Sequence, residues 1–513
     1  MNGAESLVRT ARAAGIELCL ANPGTTELPL VAALDREPGI RAVLGLFEGV
    51  CTGAADGYAR MAGRPALTLL HLGPGFANGI ANLHNARRAR SPVVNLIGDH
   101  ASWHLPFDAP LSSDIVSLAN PVSAWVRSNR SAATLAADFA DAVAAASQPP
   151  GQVATLIAPS DSQWDPADGP ARPRPRASFP RPDAARIEAA ARRLRESRSP
   201  ALLLGLGALS EAGLLAAARV AAATGAALLC DVFPARVERG LGRPCVEKLP
   251  YFPEAAQERL ARCDALVLAG ARSPVAFFGY PGVASRLAPE SAEQLLATPD
   301  EDAAGALADL AAALSAPARA PAPARAPLPA PATGALTPAS LGAVLAQLQP
   351  EGAIVVDEGA TSGLPYFAAA EAAPPHSYLA LTGGAIGQGL PCATGAALAC
   401  PDRKVIALQA DGSGLYTLQA LWTQAREQLD VVTLICANHS YRILQVELAR
   451  AGIAEPGAKA QSLTDLSHPD LDWTALARGF GVPAQKARSA EELRAALGAA
   501  LAGSGPSLIE AML

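Results

Sequence analysis

Between Val405 and Cys436 the chain alternates in a way that leaves few folds open. Val405–Leu408 is an apolar run, Tyr416–Gln428 has helical spacing, and Val431–Cys436 is a second apolar run. Strand, helix and strand in that order make a βαβ unit, whose strands lie parallel in one sheet. Asp411-Gly412-Ser413 then stands at the carboxyl end of the first strand, and Asn438 at the carboxyl end of the second. Open α/β sheets bind their ligands at those ends. Carboxylate and amide oxygens are hard ligands suited to magnesium. Gly412 allows close backbone approach, and the following helix offers free N–H groups to an anion. A diphosphate held through magnesium is the occupant this pattern predicts, although Asp411 could instead be an ordinary helix cap.

The rest of the chain repeats the alternation. Ala4–Ala14 reads as a helix, Glu17–Leu20 as a strand and Thr26–Asp35 as a helix; strands follow near 42–47, 66–72 and 92–97. The last third has strands near 353–357, 404–409, 431–437 and 507–511, and the middle has Ala201–Leu204, Ala227–Cys230 and Ala265–Leu268. Two Pro-rich stretches, about 165–183 and 316–331, read as extended spacers. They divide the 513 residues into blocks 1–165, 184–315 and 333–513. The expected fold class is α/β, with three domains that are each a mainly parallel sheet flanked by helices. Gly205-Leu206-Gly207 lacks the third glycine of a dinucleotide turn, so the middle block reads as a Rossmann-like structural domain and a nicotinamide dehydrogenase is set aside.

Net charge is −6 and the pI is near 5.7, which speaks against nucleic acid as a partner. The eight cysteines, at 19, 51, 230, 245, 263, 392, 400 and 436, show no zinc-ligand spacing and fit reduced thiols of a cytoplasmic protein. The N-terminus shows no signal-peptide pattern, and no apolar run reaches the roughly 18 residues of a membrane span.

Three further motifs give the chain a family likeness. Asn22-Pro23-Gly24-Thr25-Thr26-Glu27 opens a loop, Glu48 follows the run Ala42–Phe47, and His71-Leu72-Gly73-Pro74-Gly75 precedes Asn78. With the Asp411…Asn438 motif downstream, the order resembles thiamine-diphosphate enzymes of the benzoylformate decarboxylase and acetolactate synthase type, across nearly the whole chain. Two positions depart from the family motif, Ala410 for a glycine and Ala437 for an asparagine, and neither removes a ligand oxygen. Taken singly, Glu48 could cap the helix beside it and His71 could be a satisfied strand-end histidine.

The resemblance implies a pyrimidine-binding first domain, a diphosphate-binding third domain, and two cofactors, thiamine diphosphate and Mg2+. Asp411, Asn438 and the carbonyl of Ser440 match the metal ligands. Gly412 and Ser413 would donate to the diphosphate, Tyr441 would lie against it, and Thr361 and Ser362 would reach the same group. Gly383–Pro391 matches the Gly-rich segment that bends the cofactor, with Ile386 as the wedge and the Gly384 carbonyl as an acceptor. Glu48 would activate the cofactor, while His71 and Thr25 would face substrate. FAD, which acetolactate synthases hold in the middle domain, is not expected here. The family's second catalytic histidine has no counterpart in the middle block; His100 or His104 could substitute. Phe277, Phe278 and Tyr280 could line the pocket or simply pack together.

The implied activity is non-oxidative decarboxylation of a small-molecule 2-oxo acid, with carboligation to a 2-hydroxy ketone as a second outcome. Ile443 hints at an aliphatic or small substrate, and Glu447 would discourage a second negative charge. The rival readings are an FAD-containing acetolactate synthase subunit and a non-catalytic paralogue of the same fold. Because the family builds its site between the first domain of one subunit and the third of another, a homodimer is the minimum assembly and a homotetramer the expected one.

Overall fold

The computed structural model describes residues 1–321 and 327–513; the part of the second Pro-rich stretch at 322–326 lies outside the described residues. Two compact units result. One comprises residues 1–177, 328–370 and 381–513, and the other 178–327 with 371–380. The fold is α/β, with mainly parallel sheets flanked by helices.

The larger unit holds two parallel sheets. In the first, six strands lie in the order Arg41–Leu44, Leu18–Asn22, Ala66–His71, Val93–Asp99, Val153–Pro159, Trp125–Ser128. The central strands are buried along nearly their whole length because helices cover both faces, and most of their residues are apolar. Buried polar side chains pin the register. Thr68, Asn95 and Thr155 lie opposite one another, with Thr68 Oγ1 donating to Asn95 Oδ1 at 2.8 Å and Asn95 Nδ2 donating to Thr155 Oγ1 at 3.0 Å. A slip of one residue would leave all three unpaired in the core. The strands Trp125–Ser128 and Val153–Pro159 are missed by the sequence reading. The strand expected to reach Phe47 ends at Leu44, since Phe47 is the residue that enters the helix Glu48–Ala62.

In the second sheet five strands of this unit pair in the order Ala484–Ala487, Ser507–Met512, Val431–Ala437, Val405–Ala410, Ile354–Glu358, all parallel. The ends of Ile354–Glu358, Val405–Ala410 and Val431–Ala437 are therefore neighbours. The helix expected over 416–428 is shorter than its spacing predicts. Asp411–Gly414 forms one turn, and the regular helix is Ala420–Arg426. Thr417 explains the break: its hydroxyl donates to the Gly387 carbonyl at 2.8 Å and holds the chain in a turn.

One helix pair joins the two sheets of this unit. Glu48–Ala62 packs on Gly389–Ala399 at backbone contact. A methyl added to Gly57 would fall 2.0 Å from the Cys392 carbonyl oxygen, and one on Gly395 would fall 1.8 Å from that of Ala54. Buried beside the contact, Asp56 accepts from Arg60 Nε at 2.8 Å, Ser91 Oγ at 2.5 Å and Gln388 Nε2 at 2.6 Å. Arg60 also donates to Thr382 Oγ1 at 2.9 Å.

The smaller unit has a parallel sheet in the order Glu247–Lys248, Ala227–Cys230, Pro200–Leu204, Ala265–Ala269, Glu293–Ala297. His376–Ala380 pairs antiparallel with Val237–Arg239. Gly205 begins a short 3-10 turn where a Cβ would meet the Gly270 carbonyl oxygen at 2.4 Å, so this glycine serves chain packing. Phe277 packs against the rings of Phe233, Tyr251 and Phe278 inside this unit.

Removing one member of a buried ion pair strands its partner, at a cost of about 3–5 kcal/mol. Asp56→Ala is expected to lower the unfolding free energy by that order in urea titration. Arg64→Ala, which breaks a more exposed pair with Glu17, should change it by less than about 1 kcal/mol.

Candidate active site

Two groups of the proposed residues are assembled in the larger unit. The first surrounds Glu48 and His71. Glu48, only 9 % exposed, is the first residue of its helix, where an acidic side chain is favoured by the helix N-terminus. Its Oε2 accepts from Asn78 Nδ2 at 2.9 Å. Its Oε1 faces Gly75, where a Cβ would stand 3.0 Å away. One oxygen is thus anchored and the other is free to handle a proton.

His71 ends the strand Ala66–His71 and precedes the helix Leu72–Ala89. Its Nδ1 lies 2.8 Å from Oε2 of Glu27, a fully buried carboxylate that also accepts from the Gly24 N–H at 2.7 Å and from Thr26 Oγ1 at 2.5 Å. With Nδ1–H donated to Glu27, the neutral ring offers Nε2 as an acceptor, and the protonated ring offers it as a donor. Gly24 is required by the approach of the ring: a Cβ there would be 2.4 Å from it. Thr26 Oγ1 sits 3.2 Å from His71 Nδ1, whereas Thr25 is exposed, so the hydroxyl beside the histidine is that of Thr26. In sequence Glu27 is only the last residue of the loop motif that begins at Asn22. An acid three residues beyond Gly24, reaching back to that N–H, is the signal that could have found it.

The second group gathers at the three adjacent strand ends. Asp411 is 2 % exposed; its two oxygens accept from the Gly412 N–H at 2.8 Å and the His439 N–H at 2.7 Å. Burial raises the carboxyl above its ordinary range against the pull of these donors. Asn438 Oδ1 accepts from the Ser440 N–H at 3.1 Å. His439, between them, takes a left-handed backbone with φ 53°, a strain for a non-glycine residue. The loop is held by Tyr441 N–H donating to the Thr464 carbonyl and Leu466 N–H donating to that of His439. A Cβ on Gly412 would press on the Tyr441 ring at 2.6 Å, which leaves bare backbone at the strand end. Burial also raises the Tyr441 phenol. Thr361 and Ser362 lie in the first turn of the helix Ala360–Ala369, beside the same strand ends, with Ser362 buried.

The oxygen donors Asp411, Asn438 and the Ser440 carbonyl fit a hard divalent cation. The glycine cradle and the short turn Asp411–Gly414 fit a phosphate. The residues present therefore suit a diphosphate held through magnesium.

The turn bearing Gly384 and Ile386 is gripped from the helix Leu72–Ala89. Asn85 exchanges hydrogen bonds with Ala385, donating to its carbonyl at 2.8 Å and accepting from its N–H at 3.2 Å. Asn82 Nδ2 donates to the carbonyls of Gly49 at 2.8 Å and Gly387 at 3.3 Å. Asn78, Asn82 and Asn85 share one helical face by their spacing, a regularity the sequence reading does not use. Gly384 has φ 74°, and Ile386 is half-buried.

His100 and His104 meet edge to face, with ring centroids 5.4 Å apart. His104 also contacts Trp103 and Phe107. His100 Nε2 is buried without a hydrogen-bond partner, and among the described residues neither histidine is bonded to His71 or Glu27. Asp99, at the root of that loop, accepts from the His100 N–H at 2.8 Å and is raised by burial. The eight cysteines are all unbridged. Among the described residues no helix is long and apolar enough to cross a membrane.

Parallel sheets, oxygen donors at adjacent strand ends and a buried glutamate are the parts a thiamine-diphosphate enzyme requires, and the chain belongs to the thiamine pyrophosphate enzyme family. Residues 1–118 match the family's N-terminal TPP-binding domain and residues 361–511 its C-terminal TPP-binding domain. The chain is 50 % identical over 517 residues, covering 100 % of it and 99 % of the relative, to a Mycobacterium tuberculosis protein named "Putative acetolactate synthase large subunit IlvX". It is 33 % identical over 528 residues, 97 % of the chain and 96 % of the relative, to the benzoylformate decarboxylase of Pseudomonas aeruginosa. Among solved structures, the thiamine diphosphate-dependent 4-hydroxybenzoylformate decarboxylase of Rhodococcus jostii RHA1 superposes with a TM-score of 0.88 at 25 % identity, covering 100 % of this chain and 99 % of that one. These relatives place the chain in the decarboxylase and acetolactate synthase branch of the family.

Gly24→Ala should push the imidazole off Glu27 without unfolding the domain. The His71 ring resonances are expected to shift in NMR spectra while far-UV circular dichroism stays unchanged.

Proposed function

We propose that the chain is a thiamine-diphosphate- and Mg2+-dependent decarboxylase of a 2-oxo acid, with carboligation to a 2-hydroxy ketone as an alternative fate of the same reaction. The observation that carries this reading is the His71–Glu27 pair, a positioned proton-handling group at the mouth of the strand ends of the first sheet. The bound cofactor supplies the electron sink that a decarboxylating 2-oxo acid needs.

The chain's residues supply position and protons. Asp411, Asn438 and the Ser440 carbonyl would hold Mg2+, and the N–H groups of Gly412 and Ser413 would meet the diphosphate, with Tyr441, Thr361 and Ser362 around it. Ile386 would press on the cofactor from below, and the Gly384 carbonyl would accept from its amine. Glu48 Oε1, the oxygen left free by Asn78, would share a proton with the pyrimidine ring. His71 Nε2 would orient the substrate carboxylate or deliver a proton to the product side, with Thr26 and Thr25 lining its approach. Glu48 of one subunit would face Asp411 of another, which requires a homodimer and accommodates a homotetramer.

A second reading, an acetolactate synthase-like carboligase, is supported by the name of the relative at 50 % identity. Measuring carbon dioxide release and ketone formation from aliphatic 2-oxo acids, with and without added aldehyde, separates the two. A flavin absorbance in the purified protein would favour the second.

Glu48→Gln is expected to retain thiamine diphosphate in calorimetry while lowering kcat about 10²–10⁴-fold. Asp411→Ala should abolish magnesium-dependent cofactor uptake. Unchanged turnover in the first variant, or unchanged uptake in the second, would refute the assigned roles.

A further inference from the structure

Glu358 ends the strand Ile354–Glu358 at 4 % exposure and belongs to none of the roles above. Its Oε1 accepts from the Gly387 N–H at 2.6 Å, and its Oε2 accepts from the Gly389 N–H at 2.5 Å and from Gln409 Nε2 at 3.1 Å. Gln409, directly opposite it in the sheet, also donates to Ser413 Oγ at 2.6 Å. One carboxylate therefore links the turn that follows Ile386 to the turn that holds Ser413.

The chemistry requires a carboxylate. Both backbone partners are obligate donors, so both oxygens must accept; a glutamine of the same size would set an NH2 group against one of them. Among the described residues no ion pair offsets the charge. Burial pushes the carboxyl up to about 6, against the pull of the Gly389 and Gly387 donors, and a backbone N–H on each oxygen is the arrangement that favours the anion. Glycine at 389 is part of the same arrangement, since a Cβ would lie 2.9 Å from Glu358 Oε2 and 2.2 Å from Gln409 Oε1. Keeping a buried, unpaired charge costs stability, and its contacts show what the cost obtains: a fixed distance between two turns contributed by different strand ends.

We propose that Glu358 is a positioning residue for the cofactor, setting the Ile386 turn in register with the Ser413 turn so that the ring end and the phosphate end are held together. This rests on the thiamine-diphosphate reading. Pyrophosphate needs only the Ser413 end, whereas thiamine diphosphate needs both.

The test is calorimetric titration of the cofactor-free native protein and of Glu358→Gln, in the presence of Mg2+, with thiamine diphosphate and with inorganic pyrophosphate. The variant is expected to bind pyrophosphate as the native protein does and to lose about tenfold to a hundredfold of its preference for thiamine diphosphate. An unchanged preference, or equal weakening of both ligands, overturns the proposal. A native protein that takes up neither ligand overturns the thiamine-diphosphate reading itself, and the role with it. Should Glu358→Gln fail to fold, Gln409→Leu cuts the bridge to Ser413 and leaves both glycine contacts; the same selective loss supports the role, and an unchanged preference overturns it.

Discussion

The backbone contact between Glu48–Ala62 and Gly389–Ala399 is the constraint on which the larger unit depends. Gly57 and Gly395 let the two helices approach until carbonyl oxygens occupy the space of missing side chains. At that separation the Asp56–Arg60 pair loses water and must be satisfied internally, which Ser91, Gln388 and Thr382 accomplish. The consequence is functional. Glu48 begins one of these helices, and the turn with Gly384 and Ile386 leads into the other, so packing that reads as structural fixes where two site elements begin.

The asparagines of Leu72–Ala89 extend the same logic. One helix face holds Glu48 through Asn78, the Gly49 backbone through Asn82 and the Ala385 backbone through Asn85. Side-chain amides suit this task because each can donate and accept, matching backbone groups that have no ladder partner. The turn they grip is meanwhile held by Thr417 and Glu358. A flexible Gly-rich segment becomes rigid by being bonded on several sides, with its glycines kept for the close approaches that make those bonds possible.

The sequence shows much of this and hides the rest for a physical reason. Strands such as Val405–Ala410 and Val431–Ala437 are legible because burial on both faces demands a largely apolar run. Asp411 and Asn438 are legible because they follow such runs. Trp125–Ser128 is not, since the second half of this four-residue strand is Arg127 and Ser128 and its helical neighbours dominate the local pattern. The helix at Ala420 starts late because Thr417 answers to Gly387, 30 positions away. Glu27 and Glu358 stay hidden for the same cause: their meaning lies in His71 and in Gly387, Gly389 and Gln409, contacts that only the folded chain creates.

Glu27 and Glu358 share a design. Each is a buried carboxylate without a lysine or arginine partner among the described ion pairs, and each accepts from a backbone N–H of a glycine turn. Glu27 spends its remaining capacity on an imidazole at the first sheet, and Glu358 on the amide that reaches Ser413 at the second. A neutral residue could fill either space, but it could not accept on both oxygens, and a lysine or arginine salt bridge would compete with the catalytic groups for the charge. Carboxylates satisfied by backbone N–H groups hold loops in place without drawing a lysine or arginine into the site. That is what a site must do if it is to fix an anionic, metal-bound tail at one end and exchange protons at the other.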